Sequence, residues 1–140
     1  MDTGTGISYR QAVEQALRLL SGQWVVAVLA ALALGPLHFT KLLAEINCVD
    51  DELGRLTHDR PLSRKVLAGT LDRMEADGLL IRHDETVSHP SVRYELTPTG
   101  QTLLAALRPL AKWAQTYEAE RTVDALAGDV AAEGGSGRAP

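Results

Sequence analysis

The chain has 140 residues, 45% of them apolar and 23% charged, with a formal net charge of −4. That size fits one globular domain with flexible ends and leaves no room for a second full-sized core. The longest apolar run, residues 24–34, is too short for the ~20 residues of a membrane span and closes at Gly35-Pro36, so a buried helix is expected and no membrane partner.

Residues 1–8 are expected to form a flexible start. The first six are neutral to acidic, and a polar segment separates them from the apolar run; a secretory signal has neither feature, so a cytoplasmic location is expected. From Tyr9 to Leu20, the apolar residues Val13, Ala16, Leu17 and Leu20 recur at the spacing of one helix face and predict an amphipathic first helix. Ser21 and Gly22 interrupt it. Trp24, Val25, Val28, Leu29, Leu32 and Leu34 predict a second, mostly buried helix, ended by Gly35-Pro36. Leu42, Leu43 and Ile46 then predict a short third helix over Thr40–Ile46, with Phe39 before it packing inward. This is the first helix of a helix-turn-helix.

Residues 47–61 hold Asp50, Asp51, Glu52, Gly54, His58 and Asp59 and are long for a helix-turn-helix connection. Leu53 and Leu56 can make one helical turn within them, so the stretch reads as a partly ordered insertion. Its single thiol, Cys48, cannot form an internal disulfide, as befits a reducing compartment. Ser63 can cap the next helix, in which Val66, Leu67, Leu71 and Met74 recur at helical intervals up to a left-handed stop at Gly78. Leu79–His83 reads as a strand, and Ser91–Leu96 as a second, with Val92, Tyr94 and Leu96 inward and Arg93 and Glu95 outward. Together they make a wing with a polar tip over residues 84–90. Thr97-Pro98 opens a last helix whose apolar face runs through Leu103, Leu107, Leu110, Ala114 and Tyr117.

That face is wider than one small domain needs. The expected fold is therefore mainly α with a small β-wing: a winged helix-turn-helix over residues 9–126, whose N- and C-terminal helices form a dimer interface. Residues 127–140 have too little apolar content to pack and are expected to be a disordered tail.

Such a fold points to double-stranded DNA, and the charge distribution agrees. Residues 60–112 carry eight basic and six acidic side chains, whereas the segments before and after them are net acidic. On or near the face of the recognition helix opposite its buried stripe lie Ser63, Arg64, Lys65, Ala68, Gly69, Asp72 and Arg73, with the basic pair in the first turn, where a major-groove helix meets the bases. Ala68-Gly69-Thr70 leaves room for base edges. An arginine there can grip guanine O6 and N7, and Ser63 with the first-turn amides can bind phosphate. Gly69 lowers helix stability by ~1 kcal/mol against alanine, which reads either as a relaxed exposed position or as room for DNA. Arg82, His89 and Arg93 are the candidate wing contacts.

Trp24, Trp113 and Tyr117 are candidates for an aromatic effector pocket, against a plainly structural role for the tryptophans. Cys48 reads either as a redox-sensitive thiol or as a small packing residue. His58, Asp59 and the neighbouring acids lack zinc-site spacing, and no serine, cysteine or carboxylate is placed as a nucleophile with a base. No metal, cofactor or catalytic activity is expected.

Taken in order, GQWVVAVLAAL, GPLHFTKLL, LSRKVLAGTLDRMEADGLLIR and HPSVRYELTPTG resemble the HxlR family of bacterial winged helix-turn-helix regulators over roughly Gly22 to Trp113. The resemblance implies a homodimeric transcription factor on an inverted-repeat operator, a repressor or activator often answering to a small molecule or reactive electrophile. It carries Ser63, Arg64, Lys65, Gly69, Arg73 and Arg93 over as DNA-facing positions. Three departures stand out. Gln23 replaces the lysine usual before the tryptophan, the 47–61 segment lengthens the turn, and Tyr9–Leu20 lacks the cysteine through which some members sense oxidants. The alternative is a winged-helix protein-interaction module that binds DNA weakly and without sequence preference and captures a partner through the acidic insertion.

Overall fold

The computed structural model describes residues 8–52, 60–85 and 91–136. The central part of the expected insertion, the wing tip with His89, most of the flexible start and the last four residues of the expected tail lie outside the described residues. The elements are α1 (Tyr9–Leu19), α2 (Val25–Ala31), β1 (Leu37–His38), α3 (Phe39–Glu52), α4 (Arg64–Ala76), β2 (Leu80–Glu85), β3 (Ser91–Leu96) and α5 (Pro98–Ser136). Residues up to Leu104 form one compact unit, and those from Ala105 onward form a second.

Local chemistry sets most of the boundaries. Ser8 starts α1 with a capping box: its hydroxyl accepts from the Gln11 amide, and the Gln11 side chain accepts from the Ser8 amide. Ser63 caps α4 by accepting from the Val66 amide at 3.1 Å. At its far end, the amides of Gly78 and Leu79 donate to the carbonyls of Glu75 and Met74. That pair of bonds needs the left-handed backbone of Gly78, φ 79°. Thr97 then turns the chain into α5. Its hydroxyl donates to the Gly78 carbonyl and accepts from the Gly100 amide, while Pro98 takes the first helical position, where no amide is required.

The three strands form an antiparallel sheet in the order β1-β3-β2. Leu80 faces Leu96, Arg82 faces Tyr94, and His83 faces Arg93. β1 adds only two residues, Leu37 opposite Tyr94 and His38 opposite Arg93. It is too short to leave a pattern in the sequence, and it ties the start of α3 to the wing. The core of the first unit gathers Val28 and Leu29 of α2, Leu42 of α3, and Leu67 and Leu71 of α4, all fully buried, against Leu80, Tyr94 and Leu96 of the sheet. Each such side chain contributes about 1.5–3 kcal/mol relative to an exposed position.

Four expectations are corrected. The third helix does not stop at Ile46: residues 47–52, expected to begin a partly ordered insertion, continue α3 to Glu52, and Asn47 closes the connection from inside that helix. Its side-chain amide accepts from the Leu62 backbone N–H at 2.8 Å and donates to the Leu62 carbonyl at 3.0 Å. The second helix stops at Ala31, so Leu34 is fully exposed instead of buried. Val66 is 46% exposed, because the buried stripe of α4 runs through Leu67, Leu71 and Met74. Finally, α5 runs on to Ser136 through residues expected to be tail, where Ala131, Ala132 and Glu133 are strong helix formers.

The second unit consists of α5 from Ala105 onward. Pro109 lies inside it and has no amide to donate to the Ala105 carbonyl. Leu110, Trp113, Tyr117, Val123 and Leu126 are all exposed. α1 is similar in kind: none of its residues is buried, and Tyr9, Val13 and Leu17 form an exposed stripe. No helix among the described residues is long and apolar enough to cross a membrane.

Candidate nucleic-acid interface

α3 and α4 stand as the two helices of a helix-turn-helix, with the β2–β3 wing beside them. The first turn of α4 carries Ser63, Arg64 and Lys65, all exposed, and the next turn exposes Ala68 and Gly69. A Cβ added at Gly69 would have no atom of the described residues within 4 Å, so nothing among them requires a glycine there. Thr70 is half-buried.

Arg64 does not extend freely. Its guanidinium carbon lies 4.9 Å from the centre of the Phe39 ring, at the first residue of α3. The planar cation is thereby held over the aromatic face on the side of α4 that meets the wing. Phe39 in turn packs at 53° against Tyr94, with 6.4 Å between ring centres. Sequence reasoning placed Phe39 in the core and missed this role, since 25 positions separate it from Arg64 and nothing local connects them.

A cleft of about 420 Å³ opens between α4 and the wing, bordered by Thr40, Arg64, Ala68, Asp72, Arg82 and Tyr94. Strand alternation explains why Arg82 faces it. Arg82 lies opposite Tyr94, and directly paired residues share a face of the ladder, so Arg82 extends outward on the face that buries Tyr94. Arg93, paired with His83 and His38, belongs to the other face. The two wing arginines therefore cannot act as one patch. On Arg93's face, His83 Nε2 lies 3.1 Å from Glu95 Oε1.

Arg82 is held by Asp84, two residues on along the same face, at 3.2 Å. The hydrogen bond to Asp84 and its charge raise the Arg82 pKa above its ordinary value. Burial pushes the Tyr94 phenol up as well. A phosphate approaching Arg82 must therefore compete with the Asp84 carboxylate. That pairing was legible in principle, since positions two apart on a strand are neighbours.

Arg73 departs from its expected place on the DNA face. Its Nη2 donates to the Arg18 carbonyl at 2.9 Å and contacts Ser21 Oγ at 3.0 Å, and its Nε lies 3.9 Å from Asp77. The guanidinium is thus engaged by the fold at the end of α1.

The three aromatic candidates for an effector pocket divide between the two units. Trp24 is 4% exposed in the first unit and borders a second cleft of about 420 Å³ between α2 and α3, walled by Ala27, Ala30, Ile46 and Val49 with Glu45 and Asp50 at its edge. Trp113 and Tyr117 belong to the second unit, where they stack on each other at 5.1 Å and Arg121 lies over Tyr117. Cys48 is exposed on α3. Among the described residues no three His, Cys, Asp or Glu side chains gather as a metal site.

Comparison with known proteins gives a consistent result. A family model of the HxlR-like helix-turn-helix matches residues 19–122. YtfH of Escherichia coli K12, named an HTH-type transcriptional regulator, is 32% identical over 99 residues, which cover 71% of this chain and 68% of that protein. Among solved structures, a regulator described as of the MarR family from Enterococcus faecalis V583 superposes with a TM-score of 0.70 at 25% identity, over 86% of this chain and 98% of that one. The YtfH structure from Salmonella typhimurium gives a TM-score of 0.58 at 27% identity, over 80% and 88%.

Proposed function

The chain belongs to the HxlR-like helix-turn-helix family of transcriptional regulators, and from that premise we propose that it binds an inverted-repeat operator in the cytoplasm as a homodimer, one α4 in each of two successive major grooves. The observation that carries this reading is the first turn of α4, where Ser63, Arg64 and Lys65 are exposed together and Arg64 is braced on Phe39. Arg64 reads a base edge, most simply guanine O6 and N7. Ser63, Lys65 and Arg82 contact phosphate and set the register, Arg93 contacts the backbone from the other face of the wing, and Ala68, Gly69 and Thr70 keep the groove-facing surface low.

Two exposed apolar stripes, Tyr9-Val13-Leu17 on α1 and Leu110-Trp113-Tyr117 on α5, support self-association, because a lone soluble chain rarely leaves so many large apolar residues uncovered. An apolar small molecule in the cleft beside Trp24 is the proposed effector. In a Trp113→Phe background Trp24 is the one remaining tryptophan, and a compound that releases DNA is expected to change its fluorescence.

Operator titrations of Arg64→Ala and Lys65→Ala test the reading. Arg64→Ala is expected to cost ~1–3 kcal/mol and to relax preference at one base pair of each half-site. Lys65→Ala is expected to weaken all sequences alike and to reduce the salt slope by ~0.9 for each phosphate no longer neutralised. Unchanged sequence preference in Arg64→Ala contradicts the assignment.

A further inference from the structure

Arg73 lies on the recognition helix, yet its head group sits at the end of a different helix. α1 ends at Leu19, and its last carbonyls take donors from beyond the helix: the Leu20 amide reaches the Ala16 and Leu17 carbonyls, and the Ser21 amide reaches the Arg18 carbonyl at 3.2 Å. The Arg18 carbonyl among them receives Arg73 Nη2 at 2.9 Å and the Ser21 hydroxyl at 2.8 Å, while the same Nη2 meets Ser21 Oγ at 3.0 Å. The three groups close a triangle. A cation at this point also suits the negative end of the helix dipole.

The turn is shaped to admit the guanidinium. A Cβ on Gly22 would stand 2.7 Å from Val25 Cγ2 and 2.9 Å from Arg73 Nη1, so a larger residue would press on both, and the flexible arginine head, unlike the buried valine, is the one with room to move. Asp77, one turn further along α4, lies 3.9 Å from Nε and holds the other side of the fork.

We infer that Arg73 is a positioning residue, a polar latch that fixes the direction of α1 against the recognition helix and through it the separation of the two recognition helices in the dimer. The inference rests on the proposed function, in that α1 is taken to pair with a second copy. α1 buries no side chain within its own chain, so packing does little to aim it, and a directional polar tie takes on that task. A lysine in place of Arg73 keeps the charge but loses the fork that spans Arg18, Ser21 and Asp77.

The test uses the full chain and a set of inverted repeats whose half-site separation is varied one base pair at a time, with isolated half-sites and thermal melting measured in parallel. The wild type is expected to prefer one separation sharply. Arg73→Lys and Gly22→Ala are expected to flatten that preference by roughly tenfold, the scale of one hydrogen bond to a charged group, while base preference within a half-site stays unchanged. Ser21→Ala removes one corner of the triangle without touching α4, and a partial flattening is expected there. Wild-type spacing profiles in Gly22→Ala and Ser21→Ala overturn the latch, and so does a change of base preference in Arg73→Lys, which makes Arg73 a reader. If the wild type itself prefers no separation, the dimeric reading fails, and the latch with it.

Discussion

The Arg64 guanidinium lies over the Phe39 ring at 4.9 Å, so the first residue of α3 sets where the foremost cation of α4 points. An arginine braced on a ring loses less side-chain freedom when it docks on a base edge. Phe39→Leu keeps an apolar residue at a half-buried position and removes the ring. The expected outcome is an operator affinity lower by ~0.5–1 kcal/mol, and no further loss when Phe39→Leu is added to Arg64→Ala. Additive losses in that double-mutant cycle contradict the brace.

Asp84 restrains Arg82 on the face that lines the cleft. Asp84→Asn removes the competing carboxylate and frees the guanidinium for phosphate. Affinity for unrelated DNA is expected to rise several-fold, with a steeper salt dependence by ~0.9 in slope, because the gain is a backbone contact and carries no sequence information. Salt titrations on an operator and a scrambled duplex measure both effects. A gain confined to the operator contradicts this account of Arg82.

Asn47 and Leu62 close the lengthened connection between α3 and α4 with two hydrogen bonds, across a span of 15 positions. Asn47→Ala leaves the Leu62 N–H and carbonyl without that partner, at an expected cost of about 2 kcal/mol. Asn47→Asp keeps the acceptor but faces a carbonyl with a carboxylate, and it is expected to cost at least as much. Denaturant unfolding at fixed protein concentration checks both.

Two glycines are expected to behave oppositely. Gly69 has open space where a methyl would be added, so Gly69→Ala is expected to stabilise α4 by ~1 kcal/mol. If α4 seats closely in the groove, that added methyl lowers operator affinity even as the melting temperature rises, and this is the outcome expected. At Gly100 a methyl would run into the Leu79 carbonyl oxygen. Gly100→Ala is therefore expected to destabilise the fold by at least ~1–3 kcal/mol, the scale of overpacking.

The parts of the fold that were legible in the sequence are those specified within a few residues. The Ser63 cap, the Gly78 stop and the Thr97-Pro98 start each act through neighbours in the chain. What escaped depends on partners far apart. Arg73 looked like a reader because helix periodicity shows which face a side chain leaves from, not where its head group goes, and its partners lie 52 and 55 positions away. The acidic, polar run after Ile46 reads as an insertion because α3 is exposed on most faces there, and the helix in fact continues to Glu52, with Asn47 finding its partner at Leu62, 15 positions on. Leu34 misled for the converse reason. Its hydrophobicity matched the run before it, but α2 had already ended.

The central claim is that two copies of α4 read a two-fold DNA site, and selection of bound duplexes from a random library at near-physiological salt tests it most directly. The expected result is enrichment of an inverted repeat with half-sites about one helical turn apart, lost on Arg64→Ala. A folded protein that enriches no sequence, with or without added cell extract, contradicts the claim and leaves the winged helix as a protein-interaction module.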